Sequence, residues 1–306
     1  MKRRDFLINS ALALGSAGRV LAQSPARAAA PTATLNRLAI MTYSFQRILR
    51  APNAAPSPER VLDFFDLPEM FADRYKVHNL EVQHSHFAST ETSYFKELLG
   101  RLAKTKSRVS NINLELGTMN ISSPDPVLRS QAVDLTKRWV DHAVVLGSPR
   151  VMINQGPLTD ETRTIATETL GRMTAYARTK NIKVGMEPRG SGAGRRGGDA
   201  PAGPPPRPAY EVMADVIKAS GAYSNPDVGN FGGDQAVQHA GMRVLFPLHG
   251  GNCHMKMLTP PRYDLVAAIA LTKELRYDGL YSIEFEGAGD NYEGVQAVYD
   301  LLIAHL

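Results

Sequence analysis

Apolar runs of four to eight residues recur along the chain, separated by longer stretches in which apolar positions fall at helical spacing. The runs are Arg37–Tyr43, Asn79–Gln83, Val109–Leu116, Val151–Asn154, Ile182–Glu187, Tyr223–Val228, Cys253–Met257 and Leu280–Glu286. Their shortness and their β-branched and aromatic content predict strands. Helices are predicted between them, at about Tyr94–Ala103, Asp125–Leu146, Asp160–Thr179, Tyr210–Ala219, Gln235–Leu245 and Tyr263–Leu275, with a last one running to the C-terminus. A further helix is expected from Ser57, an N-cap followed by Pro58 in the first turn, with Val61, Leu62, Phe64 and Phe65 at helical spacing.

Eight alternating strand–helix units imply parallel strands joined by helical crossovers. In a chain of 306 residues that is the size of an α/β (β/α)8 TIM barrel, a single domain over 31–306. An open doubly wound sheet would place a Gly-rich phosphate turn after the first strand, but Thr42-Tyr43-Ser44-Phe45 stands there. One segment breaks the rhythm: residues 190–208, rich in Gly, Pro and Arg, cannot form a packed element. It reads as a flexible insertion after the fifth strand, or as a flap whose Arg195, Arg196 or Arg207 meets a substrate.

Composition changes this picture little. The charge of +5 and pI near 9.3 would suit a nucleic-acid binder, but most of the excess sits in the first thirty residues. The rest of the chain is close to neutral, so no phosphate-backbone partner is expected. Lys2-Arg3-Arg4-Asp5-Phe6-Leu7 and the small apolar stretch Ile8–Leu14 resemble a bacterial twin-arginine signal over 1–30. The resemblance implies use of the twin-arginine export machinery and a periplasmic or exported destination. Cys253 is the only cysteine, which excludes an intrachain disulfide and leaves stability to a large core.

Candidate chemistry gathers at the C-terminal ends of the last four strands, the end where barrel active sites are built. These carry Glu187, Asp227, His254 and Glu284 in turn. Neighbouring strands lie about 4.8 Å apart, so four adjacent side chains can converge on one divalent ion at about 2.0–2.2 Å. Three carboxylates and an imidazole suit Mn2+ first, with Mg2+, Co2+ or Zn2+ as alternatives. Strand parity agrees: His254 shares a face with Lys256, and Glu284 with Glu286, while Cys253, Met255, Ile283 and Phe285 take the other face. Each residue alone also fits a core salt bridge or core histidine; the ordered set of four makes the metal reading. Glu81, Asn154, Asn230 and Glu286 are candidate substrate ligands, with Asn113 and Glu115 as further polar groups near strand ends. His84 and His86 could flank the mouth, and Trp139 falls in a helical packing pattern.

The segments VGMEPRG, SNPDVGNFG, CHMKML and LYSIEFEG resemble the sugar phosphate isomerase/epimerase family, the xylose isomerase-like barrels of the D-tagatose 3-epimerase type. The resemblance implies that Glu187, Asp227, His254 and Glu284 bind a divalent metal. It also implies that Glu187 and Glu284 move protons on opposite faces of a sugar. The expected activity is metal-dependent isomerisation or epimerisation of a ketose or keto-sugar through an enediolate. Lys256 or Glu286 would serve as acid if the enzyme is instead a lyase of 3-keto-glycosides; a non-catalytic envelope sugar-binding barrel is the alternative from another class. Asn230 stands where such epimerases carry a histidine, which separates this chain from their substrate contact. A homo-oligomer is compatible with the sequence.

Overall fold

The computed structural model describes residues 30–156, 158–188, 207–232, 234–258 and 262–306. Residues 1–29 of the expected export signal (1–30), and residues 190–206 of the insertion with Arg195 and Arg196, lie outside the described residues. Eight strands form one sheet: β1 (Leu38–Met41), β2 (Asn79–Gln83), β3 (Arg108–Leu114), β4 (Arg150–Asn154), β5 (Lys183–Glu187), β6 (Tyr223–Ser224), β7 (Asn252–Leu258) and β8 (Leu280–Glu286). The order is β6-β5-β4-β3-β2-β1-β8-β7 and the pairs are parallel. The two edges meet through parallel bridges at Ser224–His249 and Asp227–His254, so the sheet curls round into the expected barrel.

Each strand leads into a crossover. The first holds a short helix, α1 (Leu67–Met70), between a 3-10 turn (Phe64–Asp66) and a π-helical turn (Phe71–Tyr75). The others are α2 (Thr92–Lys104), α3 (Pro126–Leu146), α4 (Arg163–Thr179), α5 (Ala209–Ser220), α6 (Gln235–Leu245), α7 (Leu265–Glu274) and α8 (Asn291–His305). Aspartate caps start several of them: Asp125, Asp234, Asp264 and Asp290 each accept a backbone N–H of the first turn. Gly147 and Gly221 end α3 and α5 with positive φ, a conformation in which a side chain would be strained.

The core lies between sheet and helices. Outward positions such as Leu80, Val82, Ile112, Val151, Ile153, Val184, Met186, Tyr281 and Ile283 are buried there. Inward positions are largely polar: Asn79, Glu81 and Gln83 on β2, Asn111 and Asn113 on β3, Asn252, His254 and Lys256 on β7, Ser282 and Glu284 on β8. Parallel strands usually read as continuous apolar runs. Here the barrel interior is polar, which restores a period of two and explains why the strands are legible in the sequence.

Two elements differ from the sequence expectation. No helix starts at Ser57; its hydroxyl only accepts the Glu59 N–H in a local turn. Leu62 instead bridges to Ile48 and Arg50 through its backbone, and the Arg60 guanidinium binds the carbonyls of Gln46, Leu49 and Ala55. The backbone N–H and C=O of Leu62 are thereby spent, and the helical part of the crossover begins only after the Asp63 cap. Strand six also stops short of Val228, because Pro226 has no N–H to continue the ladder. Its carbonyl is still used, by His254 N–H at 2.8 Å, and this contact carries Asp227 to the barrel mouth.

Asp290 accepts from both Tyr292 and Glu293 N–H at 2.7 and 3.0 Å. Asp290→Ala is expected to cost about 1 kcal/mol, read as a lower urea midpoint with unchanged slope.

Candidate metal centre

Strand ends place the four expected ligands together. Glu187 ends β5, Asp227 follows the Pro226 break, His254 lies inside β7 and Glu284 inside β8. One ligand atom from each lies within 4.8 Å of all the others, and all four residues are buried. His254 Nδ1 is the centre of the group, 3.0 Å from Glu187 Oε1, 3.1 Å from Glu284 Oε2 and 3.7 Å from Asp227 Oδ2. Its other nitrogen, Nε2, lies 2.8 Å from Glu81 Oε1.

Lys256 covers the group from the mouth. Its ammonium is 3.2 Å from Asp227 Oδ2, 3.2 Å from Glu284 Oε1 and 3.0 Å from Glu286 Oε2, and it donates to Asn230 Oδ1. Gly229 leaves room for the lysine stem: a Cβ there would stand 2.7–3.0 Å from the Cδ, Cγ and Cβ of Lys256. The Tyr263 hydroxyl donates to the Lys256 carbonyl and fixes the strand end from outside. Above the group opens a cavity of about 370 Å³, lined by Met41, Tyr43, Asn113, Glu115, Glu187, Asn230, Lys256, Glu284 and Glu286. All lie at or just beyond C-terminal strand ends, the catalytic face of such barrels.

The electrostatics follow from crowding. Burial pushes the Glu187 carboxyl up, against the pull of His254, to about 7. Burial acts the same way on Asp227, but Lys256 and His254 outweigh it and hold that carboxyl down to about 2. Burial disfavours the charged forms of His254 and Lys256, yet the surrounding carboxylates raise both well above their ordinary values.

The donor set fits a divalent cation. Asp227 Oδ2 and Glu284 Oε2 are buried and receive no hydrogen bond, although Lys256 Nζ and His254 Nδ1 stand close to them. Buried carboxylate oxygens without donors are costly. Their convergence with His254 Nδ1 on one space is what a hard ion would satisfy.

Other expected site residues divide. Lys256, Asn230 and Glu286 line the cavity, as do Asn113 and Glu115. Glu81, expected as a substrate ligand, is wholly buried beneath the group, with both oxygens engaged by Asn111, Asn252 and His254. Asn154 stands beside Glu187 on the neighbouring strand; its Oδ1 accepts the Leu116 N–H, and its buried Nδ2 has no hydrogen-bond partner. His84 and His86 do not line the cavity; His84 Nδ1 accepts Glu115 N–H and His86 Nδ1 pairs with the Thr42 hydroxyl. Arg207 is held by Asp160 and Asp215 at 2.8 and 3.0 Å rather than facing substrate. Trp139 packs against Phe87 and His142, as its helical pattern implied. Sequence reasoning missed Tyr43 and Met41; their place at the end of the first strand was the available signal.

A cation must displace the protons held by Glu187 and by His254 Nδ1. Mn2+ affinity measured by calorimetry is therefore expected to rise from pH 6 to pH 8, by up to about tenfold per unit for each proton released. A flat profile across that range would contradict the assignment of Glu187.

Residues 65–202 match the family described as xylose isomerase-like TIM barrel. No curated protein sequence matches significantly. Solved structures with the same fold include a D-psicose 3-epimerase from Clostridium cellulolyticum, crystallised with D-tagatose (TM-score 0.62, 12% identity, 88% of this chain and 96% of that one). A xylose isomerase-like TIM barrel protein from Mycobacterium smegmatis in complex with magnesium is similar too (TM-score 0.60, 18% identity, 89% and 98%). So is a protein from Bacillus anthracis described as a probable 3-DHS dehydratase (TM-score 0.62, 12% identity, 87% and 98%). At these identities the likeness is one of fold. In fold the chain is a TIM barrel similar to the xylose isomerase-like proteins, and it carries a buried Glu/Asp/His/Glu group at the C-terminal ends of its strands.

Proposed function

We propose that the protein is a divalent-metal-dependent sugar isomerase or epimerase, moving a proton at the carbon beside a ketose or keto-sugar carbonyl. The observation that carries this reading is the group Glu187, Asp227, His254 and Glu284, converging below a polar cavity at the barrel mouth. A bound divalent ion, Mn2+ by preference, would supply Lewis acidity toward the substrate carbonyl. The family match over 65–202 and the epimerase among the similar folds support the substrate class.

The chain's own groups divide the remaining work. Glu187 lines the cavity at the end of β5, placed to take a C–H proton and give it back. Removal of that proton leaves an enediolate. Glu284 keeps one oxygen toward His254 and has the other against the Lys256 ammonium. Glu284 lines the same cavity and is the candidate to return a proton from the opposite side. Lys256 itself is held firmly charged, and serves best as a fixed positive group where an oxyanion develops. Asn230, Glu286 and Tyr43 present hydrogen-bonding groups to sugar hydroxyls.

A lyase reading shares the first step. If a leaving group stands β to the carbonyl, the enediolate electrons expel it. The Lys256–Glu286 pair, 3.0 Å apart at the cavity edge, would then face the departing oxygen. The dehydratase among the similar folds lends this second reading its support. The twin-arginine-like leader supports a substrate met outside the cytoplasm, a free sugar or an oxidised glycoside.

Incubation of the Mn2+-loaded protein with ketoses and 3-keto-glycosides in deuterated water tests both readings. Wild type should place deuterium beside the carbonyl, and Glu187→Gln should slow this by about 10²–10⁴-fold. Glu284→Gln should retain first-proton exchange better than epimer formation. Release of an unsaturated ketone in place of an epimer would select the lyase. Absence of exchange across the panel, with metal bound, would refute the enzyme.

A further inference from the structure

We infer that Glu81 is a positioning residue for the metal centre: it holds His254 as the Nε2–H tautomer, so that the Nδ1 lone pair faces Glu187, Asp227 and Glu284. The inference rests on the metal reading above and concerns a residue outside the cavity.

Glu81 comes from β2 and reaches across the barrel interior to β7. Its side chain and that of His254 are completely enclosed, and Glu81 Oε1 stands 2.8 Å from His254 Nε2. Two further contacts decide the direction of that hydrogen bond. Asn111 Nδ2 donates to Glu81 Oε1 at 2.8 Å, and Asn252 Nδ2 donates to Oε2 at 3.0 Å. The Asn252 amide is oriented in turn by Asn225 Oδ1, also at 3.0 Å. Amide N–H groups can only donate, so both Glu81 oxygens are acceptors. Donors on both oxygens favour the ionised carboxylate, which places the proton between Glu81 and His254 on Nε2.

The consequence is felt on the other side of the ring. Once a cation displaces the Nδ1 proton the imidazole keeps one N–H, and fixing it at Nε2 leaves the Nδ1 lone pair to the ion. Nδ1 is the nitrogen within 3.0–3.7 Å of the three carboxylates. Without Glu81, the proton gains more from Nδ1, where Glu187 and Glu284 would accept it. His254 would then be an ion-pair partner of the carboxylates and no ligand. A carboxylate on the far nitrogen of a ligating histidine orients the ring and raises its basicity.

The test needs metal affinity and tautomer, with no substrate. Calorimetry with Mn2+ should show that Glu81→Gln binds about 10–100-fold more weakly than wild type. The introduced amide can no longer accept from all three donors, since its own N–H₂ meets one of them. Nitrogen-15 correlation spectra of the Zn2+-loaded wild type should show His254 protonated at Nε2 and bare at Nδ1. A His254 protonated at Nδ1 overturns the inference, and this is read on the unaltered protein whatever the variant's fold. Equal Mn2+ affinity of wild type and Glu81→Gln overturns it as well. A wild type that binds neither ion overturns the metal reading itself, and the inference with it.

Discussion

Everything at the open end of this barrel depends on one histidine. The His254 ring is in contact with Glu81 on one nitrogen and faces Glu187, Glu284 and Asp227 on the other. Like charges packed without water repel strongly, and the interior tolerates them only where cations or donors stand between. Imidazole, ammonium and asparagine amides take that role around the group. A divalent ion is the remaining partner that three carboxylates and an imidazole nitrogen call for.

That requirement reaches down into the fold. The interior beneath the group is lined by asparagines and serines rather than by the branched apolar residues that fill many barrels. Apolar packing is transferred to the outer face of the sheet, against the helices. Backbone irregularities serve the same end. Pro226 interrupts the sixth strand so that Asp227 arrives beside His254, and Gly229 clears a path for the Lys256 stem. A side chain at 229 would press on the stem of Lys256, whose ammonium balances Asp227, Glu284 and Glu286.

The polar interior also makes the chain readable. Glu187, His254, Lys256, Glu284 and Glu286 alternate with Met186, Cys253, Met255, Ile283 and Phe285, and that alternation exists because the barrel's inside is polar and its outside is core. The same pattern misleads at Glu81. Parity shows that it faces inward, but depth along the strand decides whether an inward group meets substrate or supports another side chain. Ser57 misleads for a different reason. Its N-cap signature is local, whereas the fate of residues 57–62 is settled by Leu62 bonding across to Ile48 and Arg50.

The sequence by itself determined the alternation of strands and helices, the barrel they close, and which side chains face inward at the ends of the last four strands. Those follow from periods of 2 and 3.6 and from chain order, which are properties of neighbouring residues. Tertiary structure alone decided which inward groups touch. It took Glu81 from the substrate and gave it to His254, set Lys256 against Glu284 rather than leaving the two glutamates equivalent, and tied Arg207 to Asp160 and Asp215. Contacts between residues such as Glu81 and His254, far apart in the chain, depend on barrel curvature and strand stagger, and no local pattern encodes either.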